Sequence, residues 1–581
     1  MRLVPSILLV ASLFAAPLVA QNVDVEEYVL DNGMRWLLLP RYEEPNMISC
    51  GWVAQVGSVN ERPGITGISH FFEHMMFKGT TTIGTRDAEA DADFMNRQKA
   101  VKQQINAIAW GEQYTRYLRG EIDDPWDAAN DTDELRALRA ELKQLMEEHK
   151  DVIVKNEFDS IYTNAGASGM NAFTSEDVTF YIINLPSNKF ELFAWMESDR
   201  LTDSVFREFY SERDVVHEER RMRLESSPTG VLDEQFDAMF WQSSPYSWSV
   251  IGWPTDLNSY TREDFDAYFD IYYRPNNLIG VVVGDFQPDE LKAQIDQYFA
   301  PIPRGEIAPP PVVTLEVEQL AEKRLSGECD CQDQVEVRYH SVPFMHEDEY
   351  ALEMLAEVLN GRTGRLYKAM VEGAEIASSA GVFQDSRKYA GSFSFAAQTK
   401  GDAAPGQLEA AWYEIKQQLI DEPVTEQELQ KVKNQVAADS YRRLRSNNSL
   451  KIQLGIFAAL GDWTYINQAP RKMAEVTAAD IQHVAAKYFT ETNRCVATYT
   501  RREGASAPDD VLMALAPEMR EQAKQMIAQL SQIEDAATLE GILGQIQSQA
   551  SMVPEEAKPM MDYVVQKLTE RLEVLKSGGE G

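Results

Sequence analysis

The chain has 581 residues, 44% hydrophobic and 25% charged, the balance of a globular protein long enough for several domains. Its net charge of −37 and the lack of any basic stripe argue against nucleic acid as a partner. Four cysteines are too few for a disulfide-built scaffold.

Arg2 precedes an apolar run from Leu3 to Val19, interrupted by Pro5 and Pro17 and ending in small residues at Val19-Ala20. This pattern predicts a signal peptide over residues 1–20, cut near Ala20, and a chain exported to the periplasm or medium. No later run is long and apolar enough to span a bilayer, so the mature chain is expected to have no membrane span.

Tyr28–Leu30, the turn Asp31-Asn32-Gly33 and Met34–Leu39 read as strand, turn, strand, and Met47–Val56 as a further strand. A helix is expected from about Ile68. A charged stretch from about 88 to 157 carries Leu135, Leu138, Leu142 and Leu145 at helical spacing, with Pro125 in a break. It reads as an inserted helical hairpin whose leucines form its packing seam. Strands follow at Met170–Thr174 and Val178–Ile183, helices at Lys189–Arg200 and Phe206–Glu225, and a last strand at Leu278–Gly284. This first domain spans 22–300. Prolines 301, 303 and 309–311 mark a linker over 301–316. The second domain, 317–502, repeats the rhythm: a strand at Gln334–His340, a helix at Tyr350–Leu359, a strand near Ser392–Gln398 and a terminal strand at Cys495–Tyr499. Residues 503–581 read as a helical extension. Cys50 and Cys495 lie in apolar runs and are expected to be buried. Cys329 and Cys331 read as loop cysteines, paired to each other or elsewhere.

The chemistry concentrates in His70-Phe71-Phe72-Glu73-His74. Two histidines four apart on a helix share a face, so both imidazoles can reach one tetrahedral metal. Glu73 then lies where a carboxylate can take a proton from metal-activated water. Phe71, Phe72, Met75, Met76 and Phe77 mark the helix as largely buried, where unpaired imidazoles would be costly. A third ligand is expected from Ser211–Arg221, where Glu212 and Glu219 are two turns apart on one face. Either could bind the metal while the other accepts a histidine N–H.

The segment Gly67–Thr80 closely resembles the insulinase/pitrilysin family of zinc peptidases, whose His-x-x-Glu-His order is inverted relative to the commoner zincins, and within it the mitochondrial-processing-peptidase-like branch. Asn171–Thr174, Glu212–Glu219, Pro275-Asn276-Asn277, Gly284-Asp285, Leu359-Asn360-Gly361 and Arg365-Leu366-Tyr367 extend the resemblance over roughly 25–502, apart from the insertion. The resemblance implies an α+β fold of two homologous domains, each a mostly antiparallel sheet packed with helices. It implies one Zn2+ per chain, held by His70, His74 and Glu219, with Glu212 as supporting carboxylate and Glu73 as general base. It also implies an edge strand at Asn171, Ala172 and Phe173 that pairs with the backbone of an extended peptide substrate. The implied activity is that of an endopeptidase acting on peptides or unfolded segments in a closed chamber. Two departures stand out. The hairpin roughly doubles the usual gap between His74 and Glu219, and is expected to loop out without moving the site. Active members also carry an Arg and a Tyr seven apart in a C-terminal-type domain; here the matching positions are Val371 and Ser378. That pair would then come from a second family subunit, making this chain the zinc-bearing half of a heterodimer. The alternative is a non-catalytic, peptide-binding or structural subunit.

Overall fold

The computed structural model describes residues 22–502 and, C-terminal to them, residues 512, 515, 517–531, 533, 535–549 and 557–577. The expected signal peptide lies outside the described residues. These residues form two compact units: 22–327 with 333–499, and 328–332 with the described residues from 500 onward.

The first unit contains two sheets. One is built from β1 (Glu26–Val29), β2 (Arg35–Pro40), β3 (Met47–Ala54), β4 (Ser168–Thr174), β5 (Thr179–Pro186) and β6 (Leu278–Gly284), in the order β1-β2-β6-β3-β5-β4. The other is built from β7 (Lys323–Cys329), β8 (Gln334–Ser341), β9 (Ala377–Ser386), β10 (Gly391–Thr399) and β11 (Arg494–Arg501), in the order β7-β11-β8-β10-β9. Without β1 the two orders are the same. In each, the last strand in the chain inserts between the first and second, and the third strand ends at an edge. The fold is thus α+β with two homologous domains, and the shared rhythm of the halves is a shared topology. All pairings in the first sheet are antiparallel except that of β2 with β6.

β6 explains its own sequence. Leu-Ile-Gly-Val-Val-Val-Gly has no polar side chain because the strand is buried on both faces. One face joins the main core with Phe71, Phe72, Phe193 and Phe265. The other, with Val53 and Phe180, meets Leu450, Leu454 and Ala458 of the helix Asn447–Leu460. A Cβ at Gly455 would lie 2.5 Å from the Phe180 ring, so glycine is what lets helix and sheet approach this closely. A helix of the second half therefore completes the core of the first.

The insertion forms helices at Ala88–Ile108, Tyr114–Leu118 and Asp133–His149, and the helix Glu157–Asn164 follows it. Leu135, Leu142 and Leu145 are buried and Leu138 packs beside them, as the helical spacing predicts. The hairpin is not simply looped out, however. Its Val101, Ile105 and leucines are continuous with the core of the first domain. The second half also has a strand ahead of Gln334 that the sequence pattern does not show. β7 is an edge strand of alternating half-exposed and exposed residues, and its polar Lys-Arg-Leu-Ser-Gly-Glu carries little apolar signal. Cys329 ends that strand and is joined to Cys331 in a disulfide, while Cys50 and Cys495 are free and buried. In the second unit, the helices Pro517–Ser531, Ala536–Gln549 and Lys558–Ser577 share a core that includes Ala523, Leu539, Leu543, Val564 and Leu568.

Candidate metal centre

The helix Ile68–Met75 starts abruptly. Gly67 is left-handed (φ 87°), and a Cβ there would lie 2.4 Å from the Ile251 carbonyl oxygen. The buried carboxylate of Glu61 accepts the backbone N–H of Gly67 at 2.7 Å and of Ser69 at 2.8 Å, and the Ser69 hydroxyl at 2.6 Å. These would otherwise be orphan donors of the first turn. Burial pushes the Glu61 carboxyl up to about 8 against the pull of those donors. Nothing in the periodicity around Glu61 marks it as part of the site.

His70 and His74 lie one turn apart with their rings edge to face, centres 4.8 Å apart and planes at 79°. The helix Phe209–Arg220 brings Glu219 across to them. Glu219 Oε2 lies 3.6 Å from His70 Nε2 and 3.4 Å from His74 Nε2. One ligand atom from each residue falls within 4.8 Å of the others, the only such cluster among the described residues. A tetrahedral ion with bonds of about 2.0–2.2 Å sets its ligands roughly 3.3–3.6 Å apart. Glu219 Oε2 is buried and has no hydrogen-bond partner, although it faces both Nε2 atoms. An orphaned buried carboxylate oxygen is costly, and an ion at this point would satisfy it. The three residues fit a metal of zinc type. Glu219 Oε1 pairs with Arg223 at 2.8 Å.

Glu212, two turns before Glu219, occupies the other side of His74. Its Oε1 lies 2.9 Å from His74 Nδ1, and its Oε2 pairs with Lys78 at 2.5 Å. A ring bonded through Nδ1–H turns Nε2 toward Glu219. Burial works against a charge on His74, but the neighbouring carboxylates of Glu212 and Glu219 outweigh it and raise its pKa to about 9. Burial and the neighbouring His74 hold His70 down to about 4.

Glu73 points into the same space. Its Oε2 accepts the Thr174 hydroxyl at 2.6 Å, and burial raises its pKa while that bond opposes the rise. Thr174 ends β4, whose partner is β5 and which forms the edge of its sheet. Asn171, Ala172 and Phe173 precede it. They line a cleft of about 1490 Å3 together with His70, Glu73, His74, Glu212 and Glu219. The structure thus brings every sequence-predicted site residue to one cleft. Ile153 to Phe158, on the return from the insertion, line it too. Val371 is half-buried on the short π-helix Tyr367–Gly373, and Ser378 is exposed on β9. The sequence assigns Lys78, Thr174 and Arg223 no role in the site, because each acts only through a contact made by the fold.

Comparison with known proteins agrees with this geometry. Residues 39–114 match the profile of the insulinase family (peptidase family M16), and residues 259–436 match that of the peptidase M16 inactive domain. Zinc protease PqqE of Helicobacter pylori is 25% identical over 476 residues, covering 80% of this chain and 90% of that one. A crystal structure of a protease from Helicobacter pylori shares the fold, with a TM-score of 0.67 and 22% identity over 82% of this chain and 99% of that one. The periplasmic protease PqqL of Escherichia coli has a TM-score of 0.61 at 17% identity, covering 86% of this chain but 50% of PqqL. A doubled sheet topology, an inverted His-x-x-Glu-His helix and matches to both M16 profiles all support a place for the chain in the insulinase (peptidase M16) family.

Proposed function

We propose that this protein is a zinc-dependent endopeptidase that cleaves extended peptide segments in the cleft between β4 and the helix Phe209–Arg220. The observation that carries the reading is Glu219 Oε2, buried and unpartnered 3.4–3.6 Å from both Nε2 atoms, with Glu73 beside it. In this reading His70, His74 and Glu219 hold one zinc ion. When bound, zinc supplies Lewis-acid polarisation of the scissile carbonyl and lowers the pKa of water. The open edge of β4 at Asn171, Ala172 and Phe173 gives main-chain donors and acceptors that orient a peptide as an added strand. Glu73 takes the proton of the attacking water on its carboxylate and returns it to the leaving amine. Burial raises its pKa, which favours its holding that proton. Glu212 holds His74 in one orientation through Nδ1.

The Arg/Tyr pair of active relatives is assigned to a second family subunit. In support, this chain spans half of PqqL, and Val371 and Ser378 stand where the pair would be. Export to the periplasm is part of the same proposal. It rests on the Leu3–Val19 run and on the periplasmic description of PqqL; no helix of the described residues is long and apolar enough to cross a membrane.

The test is hydrolysis of an unstructured fluorogenic peptide by the chain alone and with its candidate partner, alongside zinc analysis. Glu73→Gln should keep one zinc per chain and lose about 10²–10⁴-fold in rate. Undiminished hydrolysis by that variant removes Glu73 as base. Full activity of the lone chain removes the second subunit.

A further inference from the structure

The insertion carries a buried ion network that the proposed chemistry does not use. Asp91, on the helix Ala88–Ile108, is buried, and its Oδ1 lies 2.6 Å from Nε2 of the buried His149, the last residue of the helix Asp133–His149. His149 Nδ1 faces the Gln98 amide at 3.2 Å, so the ring donates through Nε2 and accepts through Nδ1. The Asp91 carboxylate also receives Arg207 Nε at 3.1 Å and Nη2 at 2.9 Å. Arg207 is only 1% exposed. Its three remaining N–H groups go to the carbonyl oxygens of Lys78 at 2.6 Å, Ile83 at 2.9 Å and Thr80 at 2.7 Å. All five guanidinium donors are satisfied, which is the condition for keeping such a charge inside a protein. Cβ atoms at Gly79 and Gly84 would lie 2.9 and 2.7 Å from Arg207 Nη1, so both glycines clear its seat.

What Arg207 grips matters more than its burial. The loop Lys78–Gly84 continues the chain from the helix bearing His70 and His74. Arg207 itself directly precedes Glu208, which starts the helix Phe209–Arg220 in the left-handed conformation (φ 58°). A residue with a side chain adopts that conformation where its surroundings over-determine it. Here the Arg207 clamp holds one side, and the Lys78–Glu208 ion pair at 3.5 Å holds the other. The helix that follows carries Glu212 and Glu219. One guanidinium therefore ties the chain leaving the histidine helix to the start of the Glu219 helix, and Asp91 ties that guanidinium to the insertion.

We propose that Asp91 and Arg207 are positioning residues for the metal centre, and that the insertion is a strut fixing the spacing between its two helices. The inference rests on the reading of His70, His74 and Glu219 as the ligand set. Removing the charge from Asp91 leaves a buried guanidinium unpaired, and Arg207 can then relax only by releasing the loop or the helix start.

The experiment uses the full chain, Co2+ and Zn2+ as probes, and five proteins: unmodified, Asp91→Asn, Arg207→Lys, Leu142→Ala and His70→Ala. Affinity is read by chelator competition, ligand geometry by the visible spectrum of bound Co2+, and stability by thermal unfolding. Arg207→Lys keeps the charge and loses the fork, so it decides the matter if Asp91→Asn does not fold. Both should bind metal about 10–100-fold more weakly, the range for residues that orient ligands, with an altered cobalt spectrum. Leu142→Ala opens a cavity in the same hairpin and should lower the unfolding temperature without changing affinity or spectrum. Unmodified affinity and spectrum in Arg207→Lys and Asp91→Asn overturn the strut, as does an equal affinity loss in Leu142→Ala. If His70→Ala binds cobalt as tightly as the unmodified chain, the ligand set is wrong and the inference falls with it. If only His70→Ala loses metal, the ligand set stands and the strut alone fails.

Discussion

Replacing Glu212 by Gln tests the support of His74 with the smallest change of shape. The side chain keeps its length but loses its charge, and its amide cannot both accept from His74 Nδ1 and satisfy Lys78, which now stand 2.9 and 2.5 Å from the two carboxylate oxygens. A carboxylate bonded behind a ligating histidine raises its basicity and fixes its ring; losing one weakens metal binding about 10–100-fold. At about 1.36 kcal/mol per decade this is roughly 1.4–2.7 kcal/mol. The same quantity appears in stability by mass action. Free zinc at 1,000 times the Kd stabilises the native chain by about 4.1 kcal/mol, and at 100 times by about 2.7 kcal/mol. A tenfold loss of affinity therefore removes about 1.4 kcal/mol of zinc-dependent stabilisation at fixed free zinc. Chelator competition and urea unfolding, each with zinc and with EDTA, measure the two independently. Affinity within threefold of the unmodified chain would refute the argument. So would a stability loss of equal size in EDTA, because the role of Glu212 would then lie in the fold and not in the metal.

Two further perturbations act at the start of the histidine helix. Burial lifts Glu61 to about 8 in the folded chain against 4.5 as its ordinary value. Between those pH values the unfolded chain has lost the proton and the folded chain keeps it. Stability from this group is thus complete below about 4.5 and is lost as pH rises toward 8, at up to about 1.4 kcal/mol per pH unit. Urea midpoints of the zinc-free chain at pH 5, 6.5 and 8 should fall with pH more steeply than those of Glu61→Gln; parallel profiles would exclude the titration. Gly67→Ala forces a Cβ to 2.4 Å from the Ile251 carbonyl at φ 87°. The left-handed penalty of about 1–2 kcal/mol, plus displacement of backbone, sets a loss of roughly 3 kcal/mol in urea unfolding; a loss below 1 kcal/mol would mean the helix start is free to shift.

The fold was legible where burial dictates composition. β6 reads as a strand because both its faces are covered, and its ends at Leu278 and Gly284 match the apolar run. β7 did not read as a strand because an edge needs few apolar residues, and pairing with β11 is a long-range event that a local pattern does not record. The repeated strand order was only partly visible. A rhythm of elements along the chain does not say that, β1 aside, the last strand of each half inserts between its first two. The insertion shows the same limit. Leu135, Leu142 and Leu145 signal a seam, but Asp91, His149 and Arg207 are ordinary polar letters until folding brings them together over sequence separations of 58 and 116 residues.

At the candidate site, spacing carried the chemistry part of the way. Four residues place His70 and His74 on one face, and seven place Glu212 and Glu219 on another, but spacing alone leaves the two glutamates interchangeable. The asymmetry lies in the imidazole of His74. Its Nδ1 is engaged by Glu212 at 2.9 Å, which leaves Nε2 as the atom free for a metal, and Glu219 is the carboxylate that meets Nε2. His70 has no matching support. Its Nδ1 is buried without a hydrogen-bond partner, while its Nε2 faces the same Glu219 oxygen. On the proposed reading, one histidine is oriented by a carboxylate behind it and the other by packing alone. The Glu61-capped helix start fixes where the backbone of His70 sits, and the Glu212 contact fixes the ring of His74, so the helix origin and that contact form the two halves of one positioning problem.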